Sequence, residues 1–166
     1  MTRPHCPHCS HLLVQPNGPP KADILLLGPY PGVEEQVQGF PWVGSAGEVL
    51  KRELARVGIA YVKCRATNLW QHAENKECDF EWHKEMAFKE MLGRKAILLM
   101  GALTCNVLLN ERVSDVSGLR VRSMWIPEST IVYASVNPAD ATGKQGLLGE
   151  VRLAIRRFSE AIKEEA

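Results

Sequence analysis

The hydrophobic positions of this chain follow two alternating patterns. Apolar, strand-like segments, which are typical of a parallel sheet buried on both faces, occupy residues 23–28, 61–68, 95–101 and 130–135. Segments with helical spacing lie between or after them, at residues 48–57, 79–92, 102–110 and 144–162. This alternation predicts an α/β fold, a three-layer α/β/α sandwich around a mostly parallel sheet of four or five strands.

Three weaker signals refine this layout. Asp79 is a suitable N-cap for the second helix. Residues 119–126 are expected to form an extra strand or hairpin, and the Pro/Gly-rich residues 15–20 are expected to be a spacer.

Composition narrows the class of protein. At 166 residues, with 45% hydrophobic and 23% charged residues, the chain suits one globular domain spanning residues 1–166, including a short cysteine-containing segment at its start. It has no apolar run of membrane-spanning length and no signal-like start, so a cytoplasmic protein is expected. The net charge of +1 gives no overall basic bias toward nucleic acid, although a local basic patch would not be visible in that sum.

Residues 28–50 combine the end of a strand, a Pro/Gly turn and the start of a helix. Open α/β sheets bind ligands at this edge, and a helix N-terminus attracts anions. Gly44, Ser45 and Gly47 are therefore candidates to contact an anion such as phosphate. A Gly-rich connector without any ligand is the alternative.

The pattern of this segment resembles a known family. The matching residues are Gly28, Pro31, Gly32, Glu34, Glu35, Gly39, Pro41, Val43, Gly44, Ala46 and Gly47. Further matches are Thr67-Asn68, the strand and turn at residues 97–102, and Val136-Asn137-Pro138-Ala139. With these motifs the chain resembles the uracil-DNA glycosylase superfamily, most closely its iron–sulfur-containing family 4, as a divergent and shortened member.

The resemblance implies a pocket for a base taken out of the DNA stack. Asn68 would read the base edge, Trp42 would stack on the base in place of the family's phenylalanine, and Gly28 and Tyr30 would line the pocket. Asn137 would bind a base carbonyl.

The catalytic groups depart from the family pattern. Pro29 stands where family 4 has a glutamate, and Asn137 stands where it has the histidine of its second motif. Glu35 is then the candidate to support water or the sugar cation, with Asn137 as the second catalytic candidate. The apolar wedge residues of the family are missing after Asn137, which favours single-stranded DNA or DNA with a modified pyrimidine as partner.

Cys6 and Cys9 form a Cys-x-x-Cys pair, a spacing at which two thiolates readily share a metal. The resemblance implies two more ligands near the base-reading asparagine, and counting along the chain gives His72 and Cys78. A [4Fe–4S] cluster with Cys₃His ligation is expected, with zinc as the alternative. Cys64 competes with His72 as a ligand, and a pair of free thiols is a further alternative.

Three functions follow from these observations. The first is hydrolysis of the N-glycosidic bond of uracil or a related pyrimidine in DNA. The second is modification of a 5-substituted pyrimidine on the same scaffold, motivated by the altered catalytic positions. The third is a non-catalytic module that binds DNA or a base.

Overall fold

The computed structural model describes residues 2–166. Its centre is a sheet of four parallel strands in the order β2-β1-β3-β4. The strands are β1 (Ile24–Gly28), β2 (Arg65–Asn68), β3 (Ala96–Met100) and β4 (Ile131–Ser135). The helices are α1 (Val33–Gln38), α2 (Ser45–Arg56), α3 (Phe80–Met91), α4 (Ala102–Leu109), α5 (Val113–Val116), α6 (Pro138–Ala141) and α7 (Gln145–Glu164).

Alternate side chains of each central strand enter opposite layers of the core. Leu26 and Leu98 pack with the buried faces of α2 and α7. Leu25 and Ile97 pack with the buried faces of α3 and α4. The α/β fold with helices on both faces of a parallel sheet is thereby confirmed, because both faces of the strands are apolar and both need a cover.

Element boundaries follow local chemistry. The second long helix starts where expected, because the Asp79 side chain accepts a hydrogen bond from the backbone N–H of Glu81. Helix α2 starts at Ser45, three residues before the predicted start, after an extended Gly44. Residues 61–63 form a 3₁₀ turn, so β2 is shorter than the predicted strand at residues 61–68.

The predicted extra strand at residues 119–126 is wrong. In the part of the chain that the structure describes, residues 119–121 make backbone hydrogen bonds to β4 around one antiparallel bridge, Arg120 to Tyr133, and residues 124–126 form a turn. The Ser123 hydroxyl donates to the Leu108 carbonyl at 2.7 Å and so holds the chain in that turn.

The predicted spacer at residues 15–20 takes part in the sheet edge. Asn17 and Ala66 exchange two backbone hydrogen bonds of 2.8 and 2.9 Å along the outer side of β2. The segment therefore covers an exposed strand edge, and it brings the N-terminal cysteines beside the loop that follows β2.

No helix within residues 2–166 is both long enough and apolar enough to span a membrane.

Candidate functional site

A small pocket opens at the carboxyl edge of the sheet, where ligands bind in open α/β folds. Its volume is about 140 Å³, and it is lined by Tyr30, Pro31, Gly32, Glu35, Trp42, Ala46, Asn68, Asn137, Ala139 and Asp140. The structure thus brings the predicted base-contacting side chains together. A larger cavity of about 600 Å³, along residues 120–132, contains none of the predicted site residues.

Gly28 allows the two main pocket walls to meet. A Cβ atom at this position would lie 2.5 Å from Asn68 Oδ1 and 2.8 Å from Trp42 Cζ2. Any larger residue would therefore push the amide and the indole apart. This explains why a glycine ends β1 at the pocket.

Trp42 is buried in an unusual backbone conformation. Its φ of 58° lies in the left-handed region, which is rare for a bulky residue and indicates local strain. A Cβ at Gly47 would lie 1.9 Å from the Trp42 carbonyl oxygen, so Gly47 is needed to make room for this turn. The indole Nε1 is buried and has no hydrogen-bond partner within residues 2–166.

Asn68 presents an unpaired amide to the pocket. The residue is only 5% exposed, and its backbone carbonyl accepts a hydrogen bond of 2.8 Å from Gln71 Nε2. Within the described chain its side-chain amide makes no hydrogen bond, and the amide atoms are not among the fully buried unpaired ones, so they remain accessible from the pocket. It therefore offers one acceptor and one donor group to a ligand.

Glu35 is tied into the turn that forms the pocket wall. Its carboxylate accepts backbone N–H groups from Gly32 at 3.1 Å, Val43 at 2.9 Å and Gly44 at 2.6 Å. These hydrogen bonds connect α1 to the start of α2. The observed contacts are therefore those of an anchoring residue, with little acceptor capacity left for water.

The hydrogen bonds of Glu35 affect the predicted phosphate contacts. The Gly44 amide is already occupied by the Glu35 carboxylate, and the carboxyl carbon of Glu34 lies 3.6 Å from the Cβ position of Gly44. A phosphate at Gly44 would meet these negative charges. Ser45 is exposed at the first turn of α2 and is still available to contact a phosphate.

Asn137 caps the short helix α6. Its Oδ1 accepts the Ala139 N–H at 3.0 Å, which leaves the Nδ2 group as a donor. Pro29 Cγ and Asn137 Cβ lie 3.2 and 3.4 Å from the Cβ position of Gly101. The two positions that depart most from the family motifs are thus neighbours at the end of the sheet.

Asp140 is a pocket residue that sequence reasoning missed. It lines the pocket from α6, and its carboxylate makes no ion pair or hydrogen bond among the side chains of residues 2–166. The sequence does contain an indication of this role, because Asp140 lies three residues after Asn137, which places the two side chains on the same face one helical turn apart.

A second cluster brings the four predicted metal ligands together. The ligand atoms of Cys6, Cys9, His72 and Cys78 all lie within 4.8 Å of one another. Cys6 Sγ and Cys78 Sγ are 3.6 Å apart, and His72 Nε2 lies 3.2 Å from Cys9 Sγ. The competing ligand, Cys64, is outside the cluster and directs its thiol to the Ala60 carbonyl at 3.5 Å.

The protonation chemistry of this cluster suits a metal. His72 Nδ1 donates to the Ala73 carbonyl at 2.7 Å, so its Nε2 lone pair faces the sulfurs. Burial lowers the pKa of His72 and keeps the ring neutral, although the Ala73 hydrogen bond opposes this effect. Burial, reinforced by Cys6 and Cys9, raises the pKa of Cys78 to about 12, so a bound cation is needed to make it a thiolate.

Sequence comparison identifies the family. The family model described as the Uracil DNA glycosylase superfamily matches residues 15–155 of this chain. The chain belongs to the uracil DNA glycosylase superfamily.

Two curated relatives within this superfamily carry the same name. A Type-4 uracil-DNA glycosylase from Pyrobaculum aerophilum is 25% identical over 157 residues, which cover 85% of this chain and 79% of the relative. A Type-4 uracil-DNA glycosylase from Archaeoglobus fulgidus is 39% identical over 59 residues, or 31% of this chain and 30% of the relative. The uracil-DNA glycosylase-like character of the chain is therefore shown at the level of the family.

The donor distances can be compared with those that each of the two expected cofactors requires. One tetrahedral zinc ion requires sulfurs about 3.8 Å apart and a sulfur–nitrogen distance of about 3.5 Å, from the usual bond lengths. The observed values of 3.6 Å for Cys6–Cys78 and 3.5 Å for Cys78–His72 are close to those of one such ion, whereas the Cys9–His72 distance of 3.2 Å is shorter. A four-iron cluster binds each donor to a different iron, so it would require these atoms to move apart.

Proposed function

We propose that this protein hydrolyses the N-glycosidic bond of uracil, or of a closely related pyrimidine, in DNA. The observation that carries the proposal is the unpaired amide of Asn68, buried beside Trp42 in a pocket of about 140 Å³. That volume is well below the roughly 300–1,000 Å³ of sites for drug-sized ligands, and it suits one flipped base.

In this proposal Asn68 reads the Watson–Crick edge of the base. Its Oδ1 accepts the N3–H of uracil and its Nδ2 donates to the O4 carbonyl. The opposite amide orientation would suit cytosine, so discrimination between the two bases requires Asn68 to bind in the first orientation. Trp42 provides the apolar ring on which the base stacks.

Cleavage breaks the C1′–N1 bond, whose electron pair leaves with the base. Water adds to the cation-like C1′ of the sugar, and the proton that it loses neutralises the base anion. The free Nδ2 donor of Asn137 stabilises the negative charge on a base carbonyl. Asp140, whose carboxylate is free, orients the water and stabilises the sugar cation. Glu35 contributes its negative charge and holds the pocket wall.

Single-stranded DNA is the proposed form of the substrate. The residues after α6 are Thr142, Gly143 and Lys144, which offer no apolar wedge to open a duplex. Lys144 and Ser45 can contact the phosphate backbone.

For the metal centre we propose a single four-coordinate ion, zinc, held by Cys6, Cys9, His72 and Cys78. When bound, the ion supplies a structural cross-link between the N-terminal segment and the loop after β2. Elemental analysis of protein purified without added metal tests this proposal. One zinc per chain supports it, whereas about four irons with acid-labile sulfide would contradict it in favour of a cluster.

The reaction is tested with single-stranded oligonucleotides that carry uracil, thymine, cytosine or 5-hydroxymethyluracil at one position. Abasic sites are measured by alkaline cleavage, and the released base is identified by mass spectrometry. We expect release of uracil well above the background of the cytosine strand. Tight binding of every strand without base release would contradict hydrolysis.

A second candidate function, modification of a 5-substituted pyrimidine, is favoured by one observation. Pro29 supplies neither an acid nor an N–H at the position next to Gly101, and Asn137 cannot become a cation. The double variant Pro29→Glu/Asn137→His separates the two functions. If uracil release appears only in this variant, the natural chain is not a hydrolase of this kind.

A further inference from the structure

His83 is a completely buried histidine beside the metal ligands, and it belongs to neither motif of the family. Its Nε2 lies 3.7 Å from Cys6 Sγ and 3.4 Å from Cys78 Sγ. Its ring packs between Trp70 and Trp82, with centroid distances of 4.9 Å to each. By distance alone, His83 could compete with His72 as the fourth ligand.

Hydrogen bonding distinguishes the two histidines. His83 Nδ1 accepts the backbone N–H of Gln71 at 3.0 Å, so this nitrogen carries a lone pair and the ring proton is on Nε2. The Nε2–H of His83 therefore points at the two sulfurs. His72 has the opposite tautomer, because its Nδ1 donates to the Ala73 carbonyl and its Nε2 lone pair faces the sulfurs.

We propose that His83 is a positioning residue of the metal centre, which donates one N–H to the thiolates of Cys6 and Cys78 and does not bind the metal itself. Such a donor stabilises negative charge on sulfur without occupying a coordination position. Two thiolates in a buried site need this support, and among the side chains of residues 2–166 only His83, besides the proposed ligands, lies within hydrogen-bond distance of Cys6 or Cys78.

The same histidine links the metal centre to the base pocket. Gln71, which donates its backbone N–H to His83, also donates its side-chain Nε2–H to the Asn68 carbonyl at 2.8 Å. His83 therefore helps to fix the segment between the ligand His72 and the amide that faces the base. This inference rests on the proposed metal centre.

The test uses the full chain, stripped of metal and titrated with Co²⁺, whose absorption reports both the coordination number and the thiolate-to-cobalt charge transfer. The variants are His83→Phe, which keeps a ring between the two tryptophans, and His83→Gln, which restores an N–H donor. His8→Phe is the matched control, because the His8 ring lies 5.8 Å from that of Trp82 between centroids and forms no hydrogen bond to a sulfur within residues 2–166. Circular dichroism of each variant checks folding.

We expect His83→Phe to keep a four-coordinate spectrum, with its charge-transfer band at longer wavelength and Co²⁺ bound about 10- to 100-fold more weakly. His83→Gln should recover part of both changes, and His8→Phe should match the parent protein. If His83→Phe does not fold, the charge-transfer band and the Co²⁺ affinity of His83→Gln are compared with those of the parent protein instead.

Two results would overturn the proposal. Unchanged Co²⁺ affinity and spectrum in His83→Phe would make His83 a packing residue only. Loss of a ligand in His83→Phe, with His72→Phe still four-coordinate, would make His83 the metal ligand. Failure of the parent protein to bind Co²⁺ would instead contradict the metal centre itself.

Discussion

At the scale of single residues, two carboxylates line the same pocket in different surroundings. Glu35 accepts three backbone N–H groups, whereas Asp140 has no partner among the side chains of residues 2–166. An acid that orients water needs free acceptor positions, and an acid that anchors a turn does not. The two residues should therefore respond differently to neutralisation.

We expect Asp140→Asn to lower kcat for uracil release about 100-fold with an unchanged melting temperature. Glu35→Gln should instead lower the melting temperature, because an amide replaces one acceptor oxygen by a donor that faces backbone N–H groups. Steady-state kinetics and thermal unfolding of both variants check this contrast. Full activity in Asp140→Asn would remove Asp140 from the catalytic account.

Asp140 also shows why the site was only partly predictable. Gly28, Trp42 and Asn68 stood in recognisable motifs, and the structure brings them together. The tasks of Glu35 and Asp140 depend on which backbone N–H groups the turn directs at each carboxylate. Sequence spacing does not contain that information.

At the scale of elements, the strained turn before α2 depends on Gly47. A Cβ there would lie 1.9 Å from the Trp42 carbonyl, and backbone atoms cannot move away as a flexible side chain does. We expect Gly47→Ala to destabilise the protein by at least ~2 kcal/mol and to abolish base release.

Gly149→Ala is the matched control for this substitution. Gly149 lies inside α7, and a Cβ there would meet no atom within 4 Å. Alanine should stabilise that helix by up to about 1 kcal/mol. Urea unfolding of both variants measures the difference, and equal stabilities would contradict the steric account.

Helices α2 and α7 are joined by an ion pair between the buried Glu53 carboxylate and the half-exposed Arg152 guanidinium. Glu53 is 1% exposed and accepts two hydrogen bonds from Arg152, of 2.9 and 3.1 Å. Burial alone would raise the pKa of Glu53, but Arg152, helped by Arg56 and Arg52, holds it below its usual value. Because the folded-state pKa is depressed, this stabilisation is present above the unfolded pKa and is lost as pH falls through the folded pKa.

We expect Arg152→Met to destabilise the protein at neutral pH, because the buried Glu53 carboxylate loses two hydrogen bonds. The loss is smaller than for a fully isolated charge, because Arg52 and Arg56 remain 3.6 Å from the Glu53 carboxylate. Arg156→Met, an exposed arginine of the same helix, is the control and should change stability little. The difference in the free energy of unfolding between the two variants should decrease in acid, as measured by urea unfolding at several pH values.

At the scale of the whole molecule, the order of strands and helices was predictable, but the contacts of the connecting segments with the sheet edges were not. Continuous apolar strands and helical spacing specify a parallel sheet covered on both faces. The pairing of Asn17 with Ala66 was not foreseen, since edge pairing depends on where the chain is held in space. The turn within residues 119–126 was not foreseen either, because the composition of this segment is compatible with both a turn and a strand.

The metal cluster holds the N-terminal segment against the loop that carries Asn68. We expect metal removal with a strong chelator to lower the melting temperature by at least ~4 °C and to expose residues 2–12 to protease, because binding energy is coupled to folding. Metal affinity should decrease as the pH is lowered, since the thiols must lose protons to bind the metal. An unchanged melting temperature after verified metal loss would contradict a structural role.

The most direct test of the account is single-turnover release of uracil from single-stranded DNA by the parent protein, Asn68→Ala and Asn106→Ala. Asn106 is an exposed asparagine on α4, away from the pocket, and serves as the control. The account predicts release by the parent and by Asn106→Ala, with at least ~100-fold slower release by Asn68→Ala at an unchanged melting temperature. Equal rates for the parent and Asn68→Ala would show that the base is not read in this pocket.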